Sequence, residues 1–310
     1  MLASAIRGAD FRVCQLSARP APSWLARLAL PRVVLDFACF GPAVTFSGAM
    51  PRDCFTFVYI VACPNAAHSF TFATDYTDGY LGFFPPGASF DGTAPAGYAN
   101  ANLTVPRAMF NAALALHYPE IPDMVLRRGA AMRVGPVEQQ RLRALLDPLK
   151  HLVKTEATSF DNEGVRRTVE RELIAAFLSA LRSGCDSLVP LPAQRVARRQ
   201  HQLHKARDYL TEHLREPVYL DDLSRAVGLC PRAVESLFHD FYGVSPIKLL
   251  RHQRLHNARR ALQRATPETG LVKRIALELG FLHLGHFAGD YRRFFGESPS
   301  ETLVEMPRTR

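Results

Sequence analysis

Long apolar runs, paired cysteines and clustered histidines are what this chain has least of. Nowhere in its 310 residues does an apolar stretch reach the roughly 18 residues that a membrane-spanning helix needs. The patch at 24–30 is cut by Arg27 and preceded by Arg7, Asp10 and Arg12, unlike a secretory leader. A cytoplasmic protein without membrane association is the expectation. Cys14, Cys39, Cys54, Cys63, Cys185 and Cys230 are scattered, with no C-x-x-C, and read as reduced packing residues. The first 150 residues hold only His68 and His117 and no H-x-H pair, too few imidazoles for a metal site inside a barrel. No metal and no cofactor is expected.

Positive charge is unevenly placed. From Arg195 onward there are 20 Lys and Arg against 13 Asp and Glu, and 8 of the 11 histidines. A basic C-terminal third fits a polyanionic partner, although such a surface is common among soluble domains.

Between about 33 and 105, short apolar runs rich in β-branched and aromatic residues recur between Gly, Pro, Asn and Asp. The pattern predicts an all-β sandwich or small barrel. A barrel of that size holds one small molecule, and Phe55, Phe57, Tyr59, Phe83 and Phe84 are candidates to line it, or else core. Residues 24–30 read as one or two helical turns. Helices follow over 107–116, 137–153, where Pro148 is expected to interrupt the turn, and 162–181. They pack on the β-rich part or pair across a dimer. Residues 183–192, SGCDSLVPLP, begin a linker.

Beyond it, one pattern occurs twice, at 223–246 and 275–299: a helix ending in Gly, a tight turn, a second helix ending in aromatics, then Gly-x-Ser-Pro. Gly228 permits the turn, Pro231 suits a first helical turn, and Asp221 is placed to cap the helix before it. The spacing predicts two helix-turn-helix units joined by a helix over 246–263 that carries Arg251, Arg254, Arg259 and Arg260.

With IALELGF followed by HFAGDYRRFFGESP, residues 201–303 resemble the DNA-binding domain of the AraC/XylS family of bacterial transcription regulators, and KARDYLTEHLREPVYLDDL is similar to the subset that includes ethanolamine-operon regulators. The resemblance implies two recognition helices about one DNA turn apart, entering successive major-groove segments. It places Arg232, Glu235 and Ser236 against bases in the first unit and Leu284, Gly285, Ala288 and Gly289 in the second. His239, His283, His286, Arg292 and Arg293 fall near phosphates. It also implies promoter DNA and RNA polymerase as partners, a small-molecule effector, and a homodimer.

The expected fold class is α+β. A cupin-like β-barrel sensor and dimerisation domain spans 1–182, β-rich about 33–105 and helical about 137–182. A linker over 183–200 precedes an all-α DNA-binding domain at 201–305. The expected function is a ligand-responsive activator and not an enzyme. The alternatives are a DNA-linked enzyme, which needs an activated cysteine or a metal, and a regulator whose first domain only dimerises.

Overall fold

The computed structural model describes residues 8–17, 22–69, 71, 74–154, 162–188 and 194–304. The chain divides into two compact units, residues 1–13 with 22–192 and residues 14–21 with 193–310.

The first unit is built on two antiparallel sheets. One has five strands: β1 (Asp10–Gln15), β4 (Val44–Ala49), β9 (Ser89–Ala94), β6 (Ala67–Ser69) and β7 (Thr74–Tyr76), in that order across the sheet. The other has six: β11 (Ala130–Arg133), β8 (Tyr80–Phe84), β5 (Cys54–Ala62), β10 (Tyr98–Pro106), β3 (Val34–Phe40) and β2 (Trp24–Ala29). Among the described residues the strands close no barrel. Alternating apolar patterns specify a half-buried strand but not whether its sheet closes, so the barrel expected from sequence becomes two separate sheets.

Where helical turns were expected over 24–30, Trp24–Ala29 form strand β2. Strand pairing sets Arg27 opposite Asp36, where Arg27 Nε donates to Asp36 Oδ1 at 2.6 Å and Nη2 to Oδ2 at 3.2 Å. Asp36 is fully buried, so this forked pair gives the carboxylate its charge partner in the β2–β3 ladder.

The six-stranded sheet is covered on both faces, which decides where its aromatics go. Successive side chains on a strand point to opposite faces. Phe55 and Phe57 of β5 and Phe83 of β8 pack with Phe110 of α1 (Arg107–His117), and Phe57 also meets Phe177 of α4 (Glu163–Cys185), with ring centroids 4.0 to 6.0 Å apart. Tyr59 is buried in the same cluster. Of the five aromatics proposed from sequence to line a ligand cavity, only Phe84 does.

Helix α2 (Asp123–Arg128) precedes β11, and α3 (Pro136–Lys154) then runs through Pro148 without ending. Leu142, Leu146 and Leu149 are buried on either side of the proline, and this packing holds the turn where one backbone donor is missing. Asn162 caps α4, its side-chain oxygen accepting from Gly164 N and Val165 N. Where the sequence suggested a linker over 183–200, α4 continues to Cys185 and α5 (Gln194–Glu212) has begun by residue 194.

The second unit is helical: α5, α6 (Leu220–Val227), α7 (Pro231–Tyr242), α8 (Pro246–Arg264), α9 (Leu271–Glu278), α10 (Leu284–Phe295) and α11 (Pro299–Val304). Leu203, Ala206 and Leu210 of α5, Leu223 of α6 and Val234, Leu237 and Phe238 of α7 are buried in its first half. In the second half Leu255, Ala258 and Leu262 of α8 meet Ile275 and Ala276 of α9 and Phe287, Tyr291 and Phe294 of α10. No described helix is long and apolar enough to cross a membrane.

Candidate nucleic-acid interface

Two helix pairs, α6–α7 and α9–α10, repeat one local design. The first begins two residues earlier than expected, so Asp222 and not Asp221 reaches back to the chain before the helix: its Oδ2 accepts from Tyr219 N at 3.3 Å. Gly228, at φ 70°, turns the chain, and Pro231 occupies the first turn of α7, where no intrahelical donor is needed. Both second helices stop at a left-handed glycine, Gly243 at φ 66° and Gly296 at φ 81°, a conformation that a side chain disfavours.

With Val234, Leu237, Phe238 and Tyr242 buried, α7 turns Arg232, Glu235, Ser236 and His239 outward, and all four are exposed. Phe241, next to the buried Tyr242, is only half-buried. Helix α10 buries Phe287, Tyr291 and Phe294. Gly285, His286, Ala288, Gly289, Arg292 and Arg293 are exposed, as is His283 just before the helix. Leu284 differs: it is half-buried and packs against the core around Phe287. Its place one turn ahead of Ala288 suggested an outward face, but its side chain packs against the core that α8, α9 and α10 share. A Cβ built on Gly285 or Gly289 meets nothing within 4 Å, so the outer face of α10 is smooth, with almost no hydrogen-bonding side chains at its centre.

Three of the four α8 arginines expected on a basic face are structural links, while Arg260 is exposed. Arg251 pairs with Asp290 of α10, which also meets Arg293 at 3.2 Å. Arg259 meets Glu297 at 2.7 Å and lies over the Phe295 ring, 4.7 Å from its centroid. Arg254 Nε donates to the Leu214 carbonyl at 2.7 Å, and its Nη2 to that of Glu216. These contacts fix α10 and the end of α5 on the joining helix. Periodicity could show that the arginines face away from the apolar stripe, but not that acidic groups and carbonyls meet them there.

The first unit contains a second candidate site, a mostly apolar cavity between its two sheets. Sequence reasoning missed its polar groups, Asp91, Asn100 and Asn102. The signal was present in YANANLTVP, where two asparagines two apart must share one face of a strand.

His68, considered for metal binding, has Nδ1 2.5 Å from Asp75 Oδ1. Among the described residues no three His, Cys, Asp or Glu side chains gather as a metal site requires. Burial pushes the Cys39, Cys54, Cys63 and Cys185 thiols up, Cys63 to about 11, the opposite of the activation a nucleophilic cysteine needs.

Residues 223–304 match the family model described as a helix-turn-helix domain. Over 100 residues the chain is 40% identical to the probable thc operon regulatory protein of Rhodococcus erythropolis and 36% identical to the XylDLEGF operon transcriptional activator of Pseudomonas putida. Each match takes in 32% of this chain; it spans 30% of the first relative and 31% of the second. A crystal structure of a probable AraC family transcriptional regulator from Rhodopseudomonas palustris is 36% identical, covering 34% of this chain and 99% of that one, with a TM-score of 0.32. Over residues 223–304 the chain carries a helix-turn-helix domain of the AraC/XylS type.

Proposed function

We propose that this protein is a cytoplasmic, sequence-specific transcription activator that responds to a small molecule and places α7 and α10 in successive major-groove segments of promoter DNA. The observation that carries this reading is the pair of helix-turn-helix units whose second helices bury one face and leave the other exposed. On α7, Arg232 supplies a fork suited to guanine O6 and N7, and Glu235 an acceptor for cytosine N4. Ser236 shares their exposed face, and His239 serves a phosphate.

The two units do unequal work in this reading. Gly285, Ala288 and Gly289 leave α10 little with which to read base edges, so it fits the groove by shape while His283, His286, Arg292 and Arg293 meet phosphates. Leu284, half-buried, supports the helix more than it touches DNA. The apolar cavity of the first unit favours an effector site over a unit that only dimerises. A homodimer contacting RNA polymerase completes the scheme.

Footprinting on DNA upstream of the regulated genes, with Arg232→Ala and Leu284→Ala variants, tests the assignment. Arg232→Ala is expected to relax sequence preference by about 1–3 kcal/mol at the contacted pair. Leu284→Ala should leave preference intact. Equal loss of preference in both overturns the unequal division.

A further inference from the structure

The cavity between the two sheets is lined by strands of both, and its chemistry narrows what it takes. Phe46, Phe84 and Phe90 form one aromatic side, with Phe90 6.3 Å from Phe46 and 6.4 Å from Phe84 between ring centroids. Tyr76 and Tyr98 stand at another part of the wall, and burial pushes both phenols up, so they are neutral at physiological pH.

The polar groups are few and come from facing strands. On β10, Asn102 Nδ2 donates to Asn100 Oδ1 at 3.3 Å, and Asn100 Nδ2 donates to Tyr98 Oη at 3.4 Å. The ladder sits beside a register shift, where Ala99 pairs with Ala62 but Asn100 with Ile60; such irregularities re-aim side chains. Opposite, on β9, Asp91 lines the cavity and is 8% exposed. Its backbone N–H donates to Thr71 Oγ1 at 2.7 Å.

Among the described residues lining the cavity there is no Lys, Arg or His. An anion entering it would lose its hydration and meet no cation among these residues, only neutral amide and hydroxyl groups, aromatic rings and the Asp91 side chain. Burying an ionised group without a partner costs more than apolar contact returns. A hydroxyl or amino group meets the reverse situation, because the Asp91 side chain offers acceptor oxygens and the rings accept an aromatic body or the face-on approach of a cation.

We infer that the cavity takes a ring-bearing, non-anionic molecule whose hydrogen-bond donor is directed at Asp91, an aromatic alcohol or amine, and rejects the corresponding carboxylate. This rests on the reading of the first unit as a sensor. The test uses the full-length protein and four probes that share one ring: 2-phenylethanol, 2-phenylethylamine, phenylacetate and ethylbenzene. Thermal shift and calorimetry are expected to show the alcohol or the amine binding at least about tenfold tighter than phenylacetate and ethylbenzene, a gap of about 1.4 kcal/mol. Asp91→Asn, which removes the charge and keeps one acceptor oxygen, should narrow the gap to phenylacetate. Ala131→Leu fills the cavity from β11 without touching its polar groups and should abolish the shifts; ligand-free melting shows that each variant is folded. Phenylacetate binding as tightly as the alcohol and amine overturns the ligand class and leaves the sensor reading standing. No shift with any of the four overturns both, as does an unchanged response in folded Ala131→Leu.

Discussion

Glu170 holds Arg32 by its main chain and its side chain at once: Oε2 accepts the Arg32 backbone N–H at 2.7 Å and Oε1 accepts from its Nε at 2.8 Å. Glu170 is fully buried on α4, while Arg32 sits in the connection between β2 and β3 and is exposed at its tip. The helix is thereby tied to the edge of the six-stranded sheet through one carboxylate. Glu170→Ala would strand a backbone donor and is expected to destabilise the first unit by roughly 1–3 kcal/mol. Urea unfolding followed by near-ultraviolet circular dichroism checks this. A loss below about 0.5 kcal/mol, the scale of ordinary surface changes, would contradict the tie.

His252 of α8 is expected to make the second unit sensitive to acid. It is 5% exposed, its ring centroid lies 4.6 Å from that of Phe294, and burial, then Lys248 and Arg251, push its pKa down to about 4. His256, one turn on, is pushed down to about 3, chiefly by burial. The folded-state value of His252 is thus below the unfolded value of about 6.5, and between the two the unfolded chain binds the extra proton. Stability is complete above about 6.5 and is lost as pH falls towards 4, by roughly 3 kcal/mol at most for this residue. Melting of the wild type and His252→Leu across that window measures it. The variant should show the shallower decline, and parallel curves would exclude His252 as a source.

What the sequence made legible follows from how each pattern works. The 3.6-residue period and its glycine stops located α7 and α10, because a recognition helix must bury one face and end in a left-handed turn. The exposed set Arg232, Glu235, Ser236 and His239 followed from that period. Leu284 did not, since position in a helix does not say how its first turn leans on a neighbour. In the β-rich unit, period-2 alternation separates two faces without saying which faces the helices. Phe57 and Val58 are adjacent on β5, yet Phe57 belongs to the helical side and Val58 to the cavity. Arg27 read only as a break in the apolar patch at 24–30, because its partner Asp36 is visible only once strand pairing is known.

The smooth face of α10 gives two opposed expectations for a single change. A Cβ at Gly289 enters open space in the free protein, so Gly289→Ala should raise stability by up to about 1 kcal/mol through helix propensity. If the α10 backbone approaches DNA closely, the same methyl group should weaken operator binding. Melting and fluorescence anisotropy on one preparation measure both. Higher stability with undiminished affinity would show that α10 does not come close to the groove at Gly289.

Salt separates the two arginines near the end of α10. Arg292 and Arg293 are both exposed, but Arg293 lies 3.2 Å from Asp290, whose carboxylate already balances part of its charge. A cation that meets a phosphate releases counterions, and each such contact adds about 0.9 to the slope of log affinity against log salt. Arg292→Gln should lower that slope by about 1 and weaken specific and non-specific DNA alike. Arg293→Gln should lower it less, because Asp290 is left with Arg251 as its partner. Anisotropy titrations from about 50 to 200 mM salt resolve the difference. An unchanged slope in Arg292→Gln removes that residue from the phosphate contacts, and a larger drop in Arg293→Gln shows that the Asp290 pair opens when DNA binds.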